Sequence, residues 1–195
     1  MMKIITLSML LGLIDLVSTT IQASTVDAQT ENRLERARTY FGDDLLIDQH
    51  GASHRFVSDL LSHHVVLINV IFTNCRDACP IQTQKMQVVR RQLGKHFGTQ
   101  IAFLSLSVDP KRDSPVALKA FAEKQQANIP GWWFLTADEV TMTKILSRLN
   151  QWTGNPSNHS TMLIAGHARN AHWIKLRPDS PPERIVADLL RLAGE

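Results

Sequence analysis

Cys75 and Cys79 are the only cysteines in a chain of 195 residues. They lie in Phe72-Thr73-Asn74-Cys75-Arg76-Asp77-Ala78-Cys79-Pro80, three residues apart and followed at once by proline. On one turn at a helix start, both sulfurs can point into one small volume. There the free amide N–H groups and the helix dipole favour a negative sulfur. Two such thiolates suit a soft metal, Cu(I) or Zn(II). They can equally exchange electrons as a dithiol and disulfide. The residues alone leave both chemistries open, and a third ligand would favour the metal.

The flanking sequence supplies the required elements. Val65 to Phe72 is a nearly continuous apolar run, the pattern of a buried parallel strand. A polar, helix-favouring segment follows Pro80 through Arg91, and proline suits the first helical turn. Ile101–Val108 reads as a second core strand, stopped by Asp109-Pro110. Ser114 caps a helix that begins at Pro115. Trp132–Leu135 is a short aromatic strand whose tryptophans serve packing. Thr136-Ala137-Asp138-Glu139 reads as a capping box for the helix through Leu149, and Ser180-Pro181-Pro182-Glu183 as another for a last helix through Leu192. Between them, His159–Ile164 enters a strand that pairs with Trp173–Leu176 as a hairpin. Upstream, residues 45–56 form a hairpin turned at Gly51. The order β-α-β-α-β-α-β-β-α implies an α/β domain with a central mixed sheet flanked by helices and an N-terminal β-hairpin, which fits a thioredoxin-like fold.

Composition narrows the function. The chain is 44% hydrophobic and 20% charged, as a globular domain is, and its net charge of +3 is scattered. No clustered basic patch marks a nucleic-acid partner. Lys3 followed by an apolar run to Ile14, with small residues near Ala23, reads as a signal peptide or N-terminal membrane anchor over residues 1–23. Asp15 would be costly at a bilayer centre. Both cysteines lie far downstream, so there is no lipobox. Residues 24–41 read as a polar tether or frayed helix, and residues 42–195 as the folded domain. Export places the cysteines in an oxidising compartment. A purely structural disulfide closing so small a loop would add little stability.

Of eight histidines, His50, His54, His63, His64 and His96 read as solvated surface, and His167 and His172 as exposed hairpin residues. His159 differs. It stands between a Gly-Asn-Pro loop and an apolar strand, from which a side chain can reach over the end of a sheet.

These stretches resemble the Sco family, the synthesis-of-cytochrome-oxidase proteins also called SenC. The cysteine stretch resembles the family's F-T-x-C-x-x-x-C-P. Ser107–Pro115 resembles S-V-D-P-x-R-D-T-P. Leu46–Gly51 resembles the upstream D-x-x-G hairpin, and His159-Ser160 the family's H-S. The resemblance spans roughly residues 45 to 176. It implies a periplasmic, thioredoxin-fold copper metallochaperone, with no turnover chemistry, that helps mature the Cu(A) centre of a cytochrome c oxidase subunit. It implies Cys75, Cys79 and His159 as copper ligands. Arg76 stands where the family often has proline, and a cation there is expected to lower both thiol pKa values and favour redox work. The turn Ala165–Asn170 also departs from the family's Asp-rich turn. Asp109 and Asp113 read as supporting residues, Asp109 with a possible place behind the ligands. A thiol-disulfide oxidoreductase acting on a partner's cysteines, with Cys75 and Cys79 as its redox-active pair, is the alternative. It could dispense with His159, which a metal carrier needs. A peroxiredoxin would carry a proline- and threonine-framed single cysteine, and a closed zinc site would want a fourth ligand.

Overall fold

The apolar runs at 65–71 and 101–107 become the adjacent parallel strands β3 (Val65–Ile71) and β4 (Ile101–Ser107), buried along their whole length. The computed structural model of the chain describes residues 27–194. Around those strands a seven-stranded sheet runs β2-β1-β5-β4-β3-β6-β7. β5 (Trp132–Thr136) continues the parallel set beside β4. β1 (Leu45–Asp48) with β2 (Ser53–Arg55), and β6 (Leu163–His167) with β7 (His172–Leu176), add antiparallel pairs at the two edges. The β1–β2 turn has Gly51 at φ +84°, a conformation costly for any side chain.

Helices cover both faces. The helix α1 (27–41), a π-helical turn (Phe56–Leu61) and α4 (Glu139–Arg148) pack on Val66, Ile68, Leu104 and Ile164. α2 (Ala78–Leu93), α3 (Pro115–Lys124) and α5 (Pro182–Ala193) pack on Leu67, Ile71, Phe103 and Phe134. This is the mixed α/β, thioredoxin-like architecture expected.

Several local expectations need correction. Much of the expected tether is α1, whose Leu34, Ala37 and Phe41 are buried in the core. These recur at three- and four-residue spacing among charged neighbours, a narrow apolar stripe inside polar composition. The leader assigned to residues 1–23 lies outside the described residues. Ser114 caps α3 as expected, accepting from Ala117 N at 3.3 Å. The cap of α4 is Asp138, which accepts from Thr141 N at 3.0 Å. Thr136 is still in the sheet, opposite Ile47. No side chain caps α5: its N-cap is Pro181, which carries no side-chain acceptor, and Ser180 falls one residue too early.

His64 and His167 also depart from a solvated reading. Each has a buried ring nitrogen, Nδ1 of His64 and Nε2 of His167, without a hydrogen-bond partner among the described residues. Burial pushes both imidazoles below their ordinary pKa. The charge of His63 adds to this at His64, and those of Arg169 and His64 at His167. On acidification the unfolded chain takes up these protons first, so stability present above about pH 6.5 is lost as pH falls. Urea unfolding at pH 7.5 and 5 should show that loss, and a His64→Phe, His167→Phe double variant should lose less. Equal losses would remove these two residues from the acid response.

Candidate functional site

β3 ends at Ile71, and the chain turns through 72–77 before α2 begins. Cys75 N donates to Phe72 O at 3.1 Å, closing the turn. Asp77 precedes the helix without capping it. Instead, the free N–H of Cys79 donates to Cys75 Sγ at 3.3 Å, so the first sulfur accepts from the helix N-terminus. Both cysteines are free; Cys75 is partly exposed, whereas Cys79 is only 1% exposed. Burial first, and the hydrogen bond with Cys75 next, push the Cys79 thiol far above its ordinary range. Arg76 therefore does not lower it: the arginine is exposed and screened by water, while Cys79 faces the core.

His159 follows a short 3-10 turn, Pro156–Asn158, and precedes β6. Its Nδ1 lies 3.0 Å from Ser160 O. A carbonyl only accepts, so this contact puts the ring proton on Nδ1 and leaves the Nε2 lone pair free. Nε2 lies 3.6 Å from Cys79 Sγ. Phe72 stands edge-on to the imidazole, with centroids 5.7 Å apart. Cys75 and His159 line one cleft of about 440 Å³, walled also by Arg76, Asp77, Asp109 and Arg112. The three sequence-predicted residues thus meet at one place. They do not yet converge: among the described residues, no three His, Cys, Asp or Glu side chains are close enough to hold a metal ion.

Two buried polar networks set this geometry. In the first, Trp132 Nε1 donates to Ser105 Oγ at 3.0 Å and Ser105 Oγ to Asn69 Oδ1 at 2.7 Å. Asn69 Nδ2 then donates to Gln82 Oε1 at 3.3 Å, and Gln82 Nε2 to Thr161 O at 2.5 Å. This chain ties three strands and α2 to the loop that carries His159. Its signal in the sequence was Asn69, a lone amide inside an apolar run. In the second network, Asp113, 1% exposed, accepts from Thr73 N at 3.0 Å, Thr73 Oγ1 at 2.6 Å and Ser107 Oγ at 2.6 Å. Burial raises its carboxyl pKa, although the hydrogen bonds from Ser107 and Thr73 oppose the rise. Asp113 thereby pins the residue two before Cys75. Asp109 instead pairs with Arg112 at 3.1 Å in the cleft wall.

A thioredoxin-like sheet with a Cys-x-x-x-Cys turn and a facing histidine defines a class of small metal-carrying or dithiol proteins. The SCO1/SenC family model matches residues 34–192, and the chain belongs to that family. A SCO2-like protein of Rickettsia felis is 36% identical over 155 residues, covering 74% of this chain and 73% of that protein. The crystal structure of a SCO1/SenC family lipoprotein from Bacillus anthracis superposes with a TM-score of 0.67 at 26% identity, over 77% of this chain and 92% of that one. The copper-bound structure of Bradyrhizobium japonicum ScoI shares the fold, with a TM-score of 0.64 at 24% identity over 76% of this chain and 96% of its own. Among the described residues, no helix is long and apolar enough to cross a membrane.

Proposed function

We propose that this chain is an exported copper carrier. It binds copper through Cys75, Cys79 and His159 and passes it to a partner, of which the Cu(A)-bearing subunit of cytochrome c oxidase is the leading candidate. The observation that carries this is the histidine. Its Nδ1 is held by Ser160 O, and its Nε2 lone pair faces Cys79 Sγ at 3.6 Å. A backbone carbonyl on one ring nitrogen is the usual way a protein orients an imidazole toward a metal. Two sulfurs and one imidazole suit Cu(I) at low coordination and Cu(II) in a tetragonal site. Inward movement of the more exposed Cys75 would complete the set, and its exposure gives a partner's ligands a way in. The apolar leader supports export to the periplasm, cleaved or as an anchor.

Copper titration of the reduced protein tests this. One tight equivalent is expected, weakened at least about tenfold by His159→Ala, the scale for losing a group that orients or binds the metal. Affinity indifferent to His159 would overturn the reading.

The asymmetry of the two thiols favours one second reading, a thiol-disulfide oxidoreductase. The accessible Cys75 thiolate would attack a partner disulfide to give a mixed disulfide. Cys79, once deprotonated, would then attack Cys75 Sγ, releasing the partner as thiolate and leaving the Cys75–Cys79 disulfide.

A further inference from the structure

A trench on the side of Cys75 away from His159 is not used by the copper reading. Three overlapping hollows lie between α2 and α3: two, of about 330 and 560 Å³, meet at Cys75, and a third of about 430 Å³ carries the trench on to Arg91. α2 supplies Pro80, Gln84 and Arg91, and α3 supplies Ala117, Phe121 and Lys124. Helical spacing places each set on one face. The floor is fixed: buried Gln87 donates its Nε2 to Gln125 O at 3.2 Å and also to Gln126 O, bridging the two helices.

The charge of the trench is one-sided. Arg76, Arg91 and Lys124 line it, all exposed, and none makes an ion pair among the described residues. Among the described residues, no Asp or Glu lines any of the three hollows. The neighbouring Glu123 instead accepts from Asn128 Nδ2 at 3.5 Å. The cleft on the His159 side differs, since Asp77 and Asp109 offset its arginines. Next to Cys75 the trench is apolar, walled by Pro80, Ala117 and Phe121. Pro80 to Arg91 spans about 16 Å of helix, the length of about five extended residues.

We propose that this trench docks an extended acidic segment of the protein partner, delivering a partner cysteine to Cys75. The fitting segment has a cysteine, an apolar neighbour in the Pro80–Phe121 hollow, and carboxylates one to four residues beyond, against Lys124 and Arg91. The amides of exposed Gln84 and half-buried Gln125 offer its backbone hydrogen bonds. The inference rests on the reading of Cys75 as a thiol that exchanges with a partner. Unpaired cations along such a trench raise the encounter rate with an acidic chain and select against a basic one.

The test uses the reduced full chain and synthetic ten-residue peptides carrying one cysteine as its 2-pyridyl disulfide. The Cys75 thiolate attacks the peptide sulfur, a Cys75–peptide disulfide forms, and pyridine-2-thione leaves and is read by absorbance. Three aspartates or three lysines follow or precede the cysteine, and dipyridyl disulfide normalises intrinsic reactivity. One of the two aspartate orders should react about tenfold faster than its lysine counterpart at low salt, the lower end of electrostatic steering. The advantage should shrink with added salt and reverse in Lys124→Glu, Arg91→Glu. A reversal also shows that the variant is folded. Equal rates for the acidic and basic peptides, or a preference unmoved by the double substitution, overturn the trench. Equal rates together with tight, His159-dependent copper binding would sink the docking surface alone. A charge-selective trench without such copper binding would keep the docking surface and sink the carrier.

Discussion

Asp113→Ala is expected to lower the unfolding free energy by about 3 kcal/mol, read by urea denaturation at pH 7. The change deletes the acceptor for three donors, Thr73 N, Thr73 Oγ1 and Ser107 Oγ. The site is shut away from solvent, with Asp113 1% exposed. A buried donor left without an acceptor costs about 1–3 kcal/mol, and losing a network of this kind sits in the upper part of the ordinary range for one substitution. Asp113→Asn should recover more than half. Its Oδ1 can still accept from Thr73, and its amide can donate to Ser107 Oγ, which has a spare lone pair although it already accepts from Asp109 N at 3.1 Å. The consequence for the site is specific, because Thr73 lies two residues before Cys75. The alanine variant should therefore also lose the fixed approach of Cys79 N–H to Cys75 Sγ. A loss below about 1 kcal/mol, or an asparagine variant no better than alanine, would remove Asp113 from its place beneath the cysteine turn.

How much of this was legible follows from where each signal is stored. Val65–Ile71 and Ile101–Ser107 were readable because both faces of a parallel strand are buried, leaving an unbroken apolar run. The cysteine turn was readable because its residues are contiguous and joined to that strand. Helix α1 was not, since three buried residues, Leu34, Ala37 and Phe41, are diluted by charged ones facing water. Asp113 could be seen only as a supporting residue, because its partner Thr73 is 40 positions away and no local pattern encodes the pairing. The same holds for Gln82, whose contact with Thr161 O spans 79 positions, and for the ring nitrogens of His64 and His167, unpartnered among the described residues. His159 drew notice for its place beside a strand, but its ring orientation comes from Ser160 O and its target from a helix on another part of the chain. Arg76 misled for a related reason. Sequence adjacency put a cation near both sulfurs, but burial, which adjacency does not record, governs Cys79.

Between pH 9 and 11 the reduced, metal-free protein is expected to lose about 2–3 kcal/mol of stability beyond what Cys79→Ala loses. In the unfolded chain a cysteine gives up its proton near pH 8.5. In the native state burial holds the Cys79 proton well above that. Above pH 8.5 the unfolded state therefore binds fewer protons than the native state, and stability falls as pH rises, by up to about 1.4 kcal/mol per unit. The contribution is complete below the ordinary thiol pKa and is lost progressively toward the raised native value. Cys75 is present in both proteins, so the difference in slope reports Cys79. The protein oxidised to the Cys75–Cys79 disulfide has no thiol to titrate and should lack the slope as well. Parallel pH profiles for wild type and Cys79→Ala would show that the core does not hold this proton. In the proposed copper site the same proton would bear on metal uptake, because a thiolate ligand must release it. A soft cation seated between Cys79 Sγ and His159 Nε2 would displace it, so apparent copper affinity should rise about tenfold per pH unit from this thiol alone while the metal-free thiol stays protonated. In the proposed carrier, a buried, proton-holding Cys79 beside a partly exposed Cys75 would make capture and release depend on proton exchange at one sulfur and partner access at the other.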